Sequence, residues 1–320
     1  MKKANSSKTA IYAALIGNLL VAVTKFIAAA LSGSSSMLSE GVHSLVDTVN
    51  ELLLLYGMRR SARTPDAAHP LGYGRELYFW SFIVAVLLFA LGAGVSIYQG
   101  VARVRTPSPV TDVIVVYIVL ALSFVFEGVS WRVSQKAFRA AKGDLGYWEA
   151  VRKSKAPPSF IVLFEDSAAL IGIVIAAAGT YAADSLQMPV FDGIASILIG
   201  AVLAATSAAL ARESKGLLIG ERADPQIAAS IEALARDEPG VAAVNGVITV
   251  QLAPAQIVAA LSLEFEDELR TPQIEEAVAR IEERLRAQHP QIVALFVKPQ
   301  TPGGYERIRR SRYGLRSSGH

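Results

Sequence analysis

The chain contains no cysteine, which excludes a disulfide framework and any thiolate metal site. Charge is scarce as well. Asp, Glu, Lys and Arg together make up 18% of the 320 residues, against about 25% in ordinary soluble domains. The formal net charge of +3 is too small to point to nucleic acid as a partner. What fills the space is apolar: 52% of residues are hydrophobic and the mean hydropathy is +0.39. Several apolar runs reach the roughly 20 residues that a helix needs to cross a bilayer. The composition is that of a polytopic membrane protein.

Six spans can be marked, near Thr9–Leu31, Met37–Gly57, Leu77–Val101, Val110–Phe138, Ser159–Ala183 and Pro189–Arg212. The N-terminus, MKKANSSKTA, is basic and polar. The apolar run after it continues to Leu31 without a small-residue cleavage site, as in a retained first helix rather than a removed signal peptide. Lys and Arg then set the orientation. Arg59, Arg60, Arg63 and Arg75 follow the second span, and a basic loop from Arg132 to Lys155 follows the fourth. The opposite side has Arg103 and Arg105. Excess positive charge marks the cytoplasmic side, so both termini are expected there.

The second span is the informative one. Glu40, His43, Asp47, Asn50 and Glu51 step by three or four residues through MLSEGVHSLVDTVNELLLLYG, so they form one polar stripe on an apolar helix. A central Asp costs on the order of 2.5–3.5 kcal/mol on insertion scales, so the stripe must face helices, water or an ion. His43 and Asp47, one turn apart, can bind one cation together; the alternative is a structural polar seam. Asp166, deep in SFIVLFEDSAALIGIVIAAAG, is the second candidate ligand. One imidazole and two carboxylates suit a borderline divalent metal such as Zn²⁺, usually held by four ligands at about 2.0–2.2 Å. Glu165 points roughly 100° away from Asp166 on a helix, so it is a less certain ligand, a helix contact or a relay. Glu127 is either a proton relay or part of a helix–helix seam. Asp192 reads equally as a helix cap or an ion contact. Asp66 and His69 lie on a polar loop and are at most a weak secondary site.

From Glu221 the composition turns to that of a soluble domain. A helix with Ile227, Ile231 and Leu234 on one face, strands at Val247–Leu252 and Ile257–Phe265, a helix at Thr271–Gln288 and a strand at Ile292–Val297 give the order α-β-β-α-β, which suits a two-layer α+β domain. The domain plan is thus residues 1–220 as an all-α six-helix transmembrane transport domain, 221–300 as a cytoplasmic ferredoxin-like domain, and 301–320 as a basic, unstructured tail with weak affinity for anionic lipid at most.

SEGVHSLVDTVNE, followed by HPLGYGR and combined with this domain plan, resembles the cation diffusion facilitator family. The KAPPSFIVLFED stretch resembles the branch that contains the animal zinc transporter 9. The resemblance implies a homodimeric divalent-metal/proton antiporter in the inner (plasma) membrane that exports Zn²⁺, or in some branches Mn²⁺ or Fe²⁺. It is not an enzyme and needs no cofactor beyond the transported metal. The resemblance assigns His43, Asp47 and Asp166 to the transport site and Asp66 and His69 to a loop site. It pairs Arg75 with an acid after the sixth span, Glu221 or Glu213. Two positions depart from the family pattern. Val162 stands where a fourth transport ligand is usual, and Tyr73 stands where the loop site has a second His. The soluble domain has only His289, which implies dimerisation rather than metal sensing. The departures also admit a different class, a non-transporting membrane metal-binding or regulatory protein.

Overall fold

The structure is a computed structural model and describes residues 2–313. Met1 and Arg316, at the ends of the two basic terminal segments, lie outside the described residues. The chain divides into two compact units, residues 1–61 with 76–215, and residues 62–75 with 216–320.

The first unit is a helical bundle. Its elements are α1 (Lys2–Ser32), α2 (Ser35–Ser61), α3 (Glu76–Leu87), a π-helical turn (Leu88–Ala93), α4 (Gly94–Arg105), α5 (Val113–Lys142), α6 (Tyr147–Lys153), α7 (Pro157–Ser185) and α8 (Val190–Ile219), whose last turn belongs to the second unit. Among the described residues four helical stretches are long and apolar enough to cross a membrane: Glu76–Arg105, Val113–Lys142, Pro157–Ser185 and Val190–Ile219. In α1 the apolar stretch is Asn18–Ser32. The 27 residues of α2 are long enough, but its polar stripe dilutes its hydropathy. On α5, Ile114, Ile118, Leu122, Val125 and Val129 are all exposed. They recur every three or four residues, so they form one apolar face, which lipid can solvate and water cannot.

Helix ends follow local chemistry. Pro157 and Pro158 open α7, where a missing N–H costs nothing and φ is already helical. The helix therefore starts two residues before the Ser159 read from hydropathy. Helix α6 has seven residues, too few to register as a periodicity, and it buries Ala150 and Val151. Helices α4 and α8 meet backbone to backbone. A Cβ on Gly100 would strike the Gly193 carbonyl, and one on Gly193 would strike the Gly100 carbonyl, the close approach that small residues allow in lipid.

The N-terminus of α2 is held from α8. The Asp192 carboxylate accepts from the Oγ of Ser34, Ser35 and Ser36 (2.6, 2.9 and 2.6 Å) and from the N–H of Ser35 and Ser36 (2.6 and 3.2 Å). Of the two readings of Asp192 it is thus a cap, though of α2 rather than of its own helix. Unmet N–H groups and the dipole of α2 favour an anion at that spot.

The second unit contains α9 (Pro225–Arg236), β1 (Val241–Ala253), β2 (Gln256–Phe265), α10 (Thr271–Gln288), β3 (Ile292–Pro299) and α11 (Pro302–Tyr313). The strands form one sheet in the order β1-β2-β3, with β1/β2 antiparallel and β2/β3 parallel. Ile231, Leu234, Ile281 and Leu285 of the two helices pack with Leu261, Leu263 and Ile292 of the sheet. β1 starts six residues before the predicted Val247, because pairing to β2 continues through bulges at Val241/Ala243 and Val244/Gly246 that break the alternation. Helix α10 is capped at Arg270, with the Gln273 side chain accepting from the Arg270 N–H at 2.8 Å. Residues 302–313, expected without structure, form α11. Thr301 accepts from the N–H of Gly304 and Tyr305, Glu306 pairs with Arg309 and Arg310, and the Tyr305 ring lies on the open face of Gly246.

Candidate metal centre

The stripe on α2 meets three helices. His43 is wholly buried, and its Nδ1 stands 3.3 Å from Asp47 Oδ1. The two groups are not aligned as a hydrogen bond: among the described residues, both His43 nitrogens and Asp47 Oδ1 are buried without a hydrogen-bond partner. Unmet buried polar atoms are rare, at about one to three kcal/mol each. One turn on, Asn50 Nδ2 donates to Glu165 Oε1 of α7 at 2.7 Å. Glu51 Oε1 accepts from Asn18 Nδ2 of α1 at 2.8 Å. Asp166 turns the other way, as the angular step along a helix requires. It accepts from Ser134 Oγ at 2.7 Å and from Ser130 Oγ at 3.1 and 3.2 Å, both on α5.

Asp47, Glu51, Glu127, Glu165 and Asp166 line one cavity of about 20 Å³, with Val162 beside them. A cavity needs about 10–15 Å³ to hold a water, so this one admits a single water or ion. Five carboxyl groups around one small space in a low-dielectric bundle favour a cation there. Among the described residues, no group of three or more His, Asp or Glu is already close enough to hold a metal ion. Glu127, whose partners could not be read from the sequence, faces this cavity.

A second buried charge lies further along the stripe. Lys25 Nζ donates to Glu40 Oε2 at 3.0 Å and to Ser44 Oγ at 2.8 Å, and the Lys25 and Glu40 side chains are wholly inaccessible. Gly172 of α7 makes room for this pair, because a Cβ there would collide with Glu40 Oε1. Glu40 belongs to the polar stripe that the sequence shows, whereas its pairing with Lys25 depends on the packing of α1 on α2.

The loop residues belong to the second unit. Asp66 Oδ1 accepts from the N–H of Ala68 and His69 at 3.0 and 2.7 Å, and Oδ2 accepts from the Tyr73 hydroxyl at 2.6 Å. The Tyr73 hydrogen bond, followed by the His69 N–H, holds the Asp66 carboxyl below its usual range. His69 Nδ1 is 3.5 Å from Asp66 Oδ1, and both side chains are half exposed. The carboxylate here closes a turn. Arg75 reaches Gly220, where a Cβ would stand 3.4 Å from Arg75 Nη2, one residue from Glu221. His289 caps α10 and shares a 2.8 Å hydrogen bond with Ser230 Oγ.

Apolar outer faces, helices of spanning length and a buried acid-lined cavity sized for one ion define a polytopic membrane protein built to handle a cation. Residues 11–219 match the cation efflux transmembrane domain, and the chain belongs to the cation efflux family, whose members are multi-pass membrane transporters and not enzymes. It is 34% identical over 250 residues to the proton-coupled zinc antiporter SLC30A9, mitochondrial, of Xenopus laevis, covering 77% of this chain and 44% of the relative. It is 36% identical over 222 residues to metal tolerance protein C4 of Arabidopsis thaliana, covering 69% and 49%. It is 26% identical over 219 residues to the manganese efflux system protein MneP of Bacillus subtilis, covering 67% and 69%. The chain spans less than half the length of the first two of these relatives.

Proposed function

We propose that the protein exchanges a divalent cation, best matched by Zn²⁺, for protons and exports it from the cytoplasm. It does so as a homodimer with six spans and both termini cytoplasmic, in the inner (plasma) membrane. The observation that carries this reading is the acid-lined cavity that Asp47 borders, with His43 Nδ1 3.3 Å from Asp47 Oδ1. His43, Asp47 and Asp166 are the ligands, with Glu165 drawn in when its bond to Asn50 gives way. Glu127, on the same cavity, relays protons. Metal binding needs deprotonated ligands, so metal and protons compete for one site, and a carrier that alternates its access exchanges one for the other. The C-terminal unit, read as ferredoxin-like, dimerises, steadied by Arg75 and Glu221. Asp66 and His69 form at most a weak accessory site, because the Asp66 oxygens already close a turn.

Mn²⁺ is the second reading. The cavity is rich in carboxylate, which suits harder cations, and one relative is named a manganese efflux protein. Uptake by the full chain in proteoliposomes, over a panel of Zn²⁺, Mn²⁺ and Fe²⁺ with and without a pH gradient, decides between them. Asp47→Ala should abolish uptake while the protein still elutes as a folded dimer. Unchanged uptake in that variant would sink the proposed site, and an absence of uptake of every ion by the parent would favour a regulatory protein.

A further inference from the structure

We infer that Glu51 is a further carboxylate ligand of the transported cation, standing at the neck between the small cavity and a larger one. This inference rests on the transport reading above. The larger cavity, of about 520 Å³, lies between α1, α2, α5 and α7 and is lined by Asn18, Glu51, Ser130, Ser134, Ser159 and Val162 among others. Asn18, Glu51 and Val162 line both cavities, so they form the wall where the two meet. Ser130 and Ser134 line the larger cavity and hold Asp166, which lines the smaller. Among the residues that line the larger cavity, Glu51 is the carboxylate, and it also lines the small cavity together with Asp166.

Val162 offers no donor atom to an ion in the small cavity, and Glu51 stands at the same neck with a carboxylate. Its hydrogen-bond partner there is a neutral amide, Asn18 Nδ2, on Oε1. A cation displaces an amide N–H from a carboxylate far more readily than it displaces an ammonium, because it removes no compensating charge. Glu51 also lies one helical turn from Asp47, so both carboxylates can address one ion. The structure thus supplies from α2 the oxygen that α7 lacks at position 162.

The test is calorimetric Zn²⁺ binding to the purified full chain, with Glu51→Gln and Asn18→Ala as the paired variants. Glu51→Gln keeps an amide that still fills the space but loses the anionic ligand, and binding should weaken about tenfold or more, within the range seen when groups supporting a metal site are removed. Asn18→Ala breaks the same hydrogen bond but leaves the carboxylate, so binding should stay within about threefold of the parent, a small change on the logarithmic affinity scale. If Glu51 only ties α2 to α1, the two variants should lower thermal stability and binding alike. Binding by Glu51→Gln within about twofold of the parent, or equal losses in both variants, overturns the inference. Asp47→Ala separates the two levels. Lost binding there with unchanged binding in Glu51→Gln removes Glu51 alone, whereas unchanged binding in Asp47→Ala removes the site reading itself.

Discussion

Lys25→Met tests whether the bundle core behaves as the low-dielectric medium that the site argument requires. Lys25 and Glu40 are both wholly inaccessible, and their charged atoms are 3.0 Å apart. Met keeps most of the stem volume and removes the ammonium. Glu40 Oε2 then loses its Lys25 donor, while Oε1 has no hydrogen-bond partner among the described residues, and Ser44 Oγ loses the Lys25 donor as well. Removing one partner of a buried ion pair costs about 3–5 kcal/mol, and the unmet Oε1 places this case in the upper half of that range. Replacing both partners with Met should recover most of the loss, since apolar substitutes for a buried pair are often neutral or better. The assay is denaturant unfolding in detergent micelles for the parent, the two single variants and the double variant, which closes a double-mutant cycle. A Lys25→Met loss under about 1 kcal/mol, the size typical of solvated surface pairs, would overturn this expectation. It would mean that water reaches this part of the bundle.

Two further outcomes follow from the geometry. Asp192→Ala removes the carboxylate that accepts from the buried hydroxyls of Ser34, Ser35 and Ser36 and from the N–H groups of Ser35 and Ser36, so unfolding in the same assay should cost about 2–3 kcal/mol or more; a loss below about 0.5 kcal/mol would show that α2 is capped in some other way. At the loop, Tyr73→Phe removes the strongest of the bonds that hold the Asp66 carboxyl low. The folded-state value is depressed, so the ordering it gives the loop is present above the ordinary carboxylate pKa and is lost as pH falls through the lowered folded value. In Tyr73→Phe that loss should begin at higher pH, which a carboxyl ¹³C titration of the full chain would register; an unmoved titration would place the cause elsewhere.

The polar stripe on α2 was legible because helical periodicity puts Glu40, His43, Asp47 and Glu51 on one face whatever surrounds them. The divergence of Glu165 and Asp166 was legible for the same reason. The partners were not, because periodicity along one helix carries no information about its neighbours. Asn50 meets Glu165 across 115 residues of chain, and Asp192 meets Ser35 across 157. Ser130 and Ser134, four apart on α5, carry no signal in the sequence that Asp166 is opposite. Strand β2 was legible from its alternation, whereas the first half of β1 was hidden by bulges that exist only because β2 is alongside. The short α6 and the capped α11 depend on contacts and end chemistry that hydropathy windows average away.

The buried acids sort by what faces them, and the sorting has a consequence for exchange. Glu40 faces the Lys25 ammonium, and Asp192 faces backbone N–H groups and hydroxyls with Arg103 Nε 3.4 Å away. A divalent cation could displace those partners only by leaving a buried positive charge or an uncapped helix behind, so these acids are fixed. Glu51, Glu165 and Asp166 accept from an amide, an amide and two hydroxyls. Those donors are neutral and can turn to other acceptors, so exchanging them for a cation strands no charge. The acids with neutral partners are the ones that share the small cavity with Asp47 and Glu127, and the acids with cationic or capping partners are absent from its lining. An ion that must be bound and then released needs the first kind of ligand, and the bundle that surrounds it needs the second.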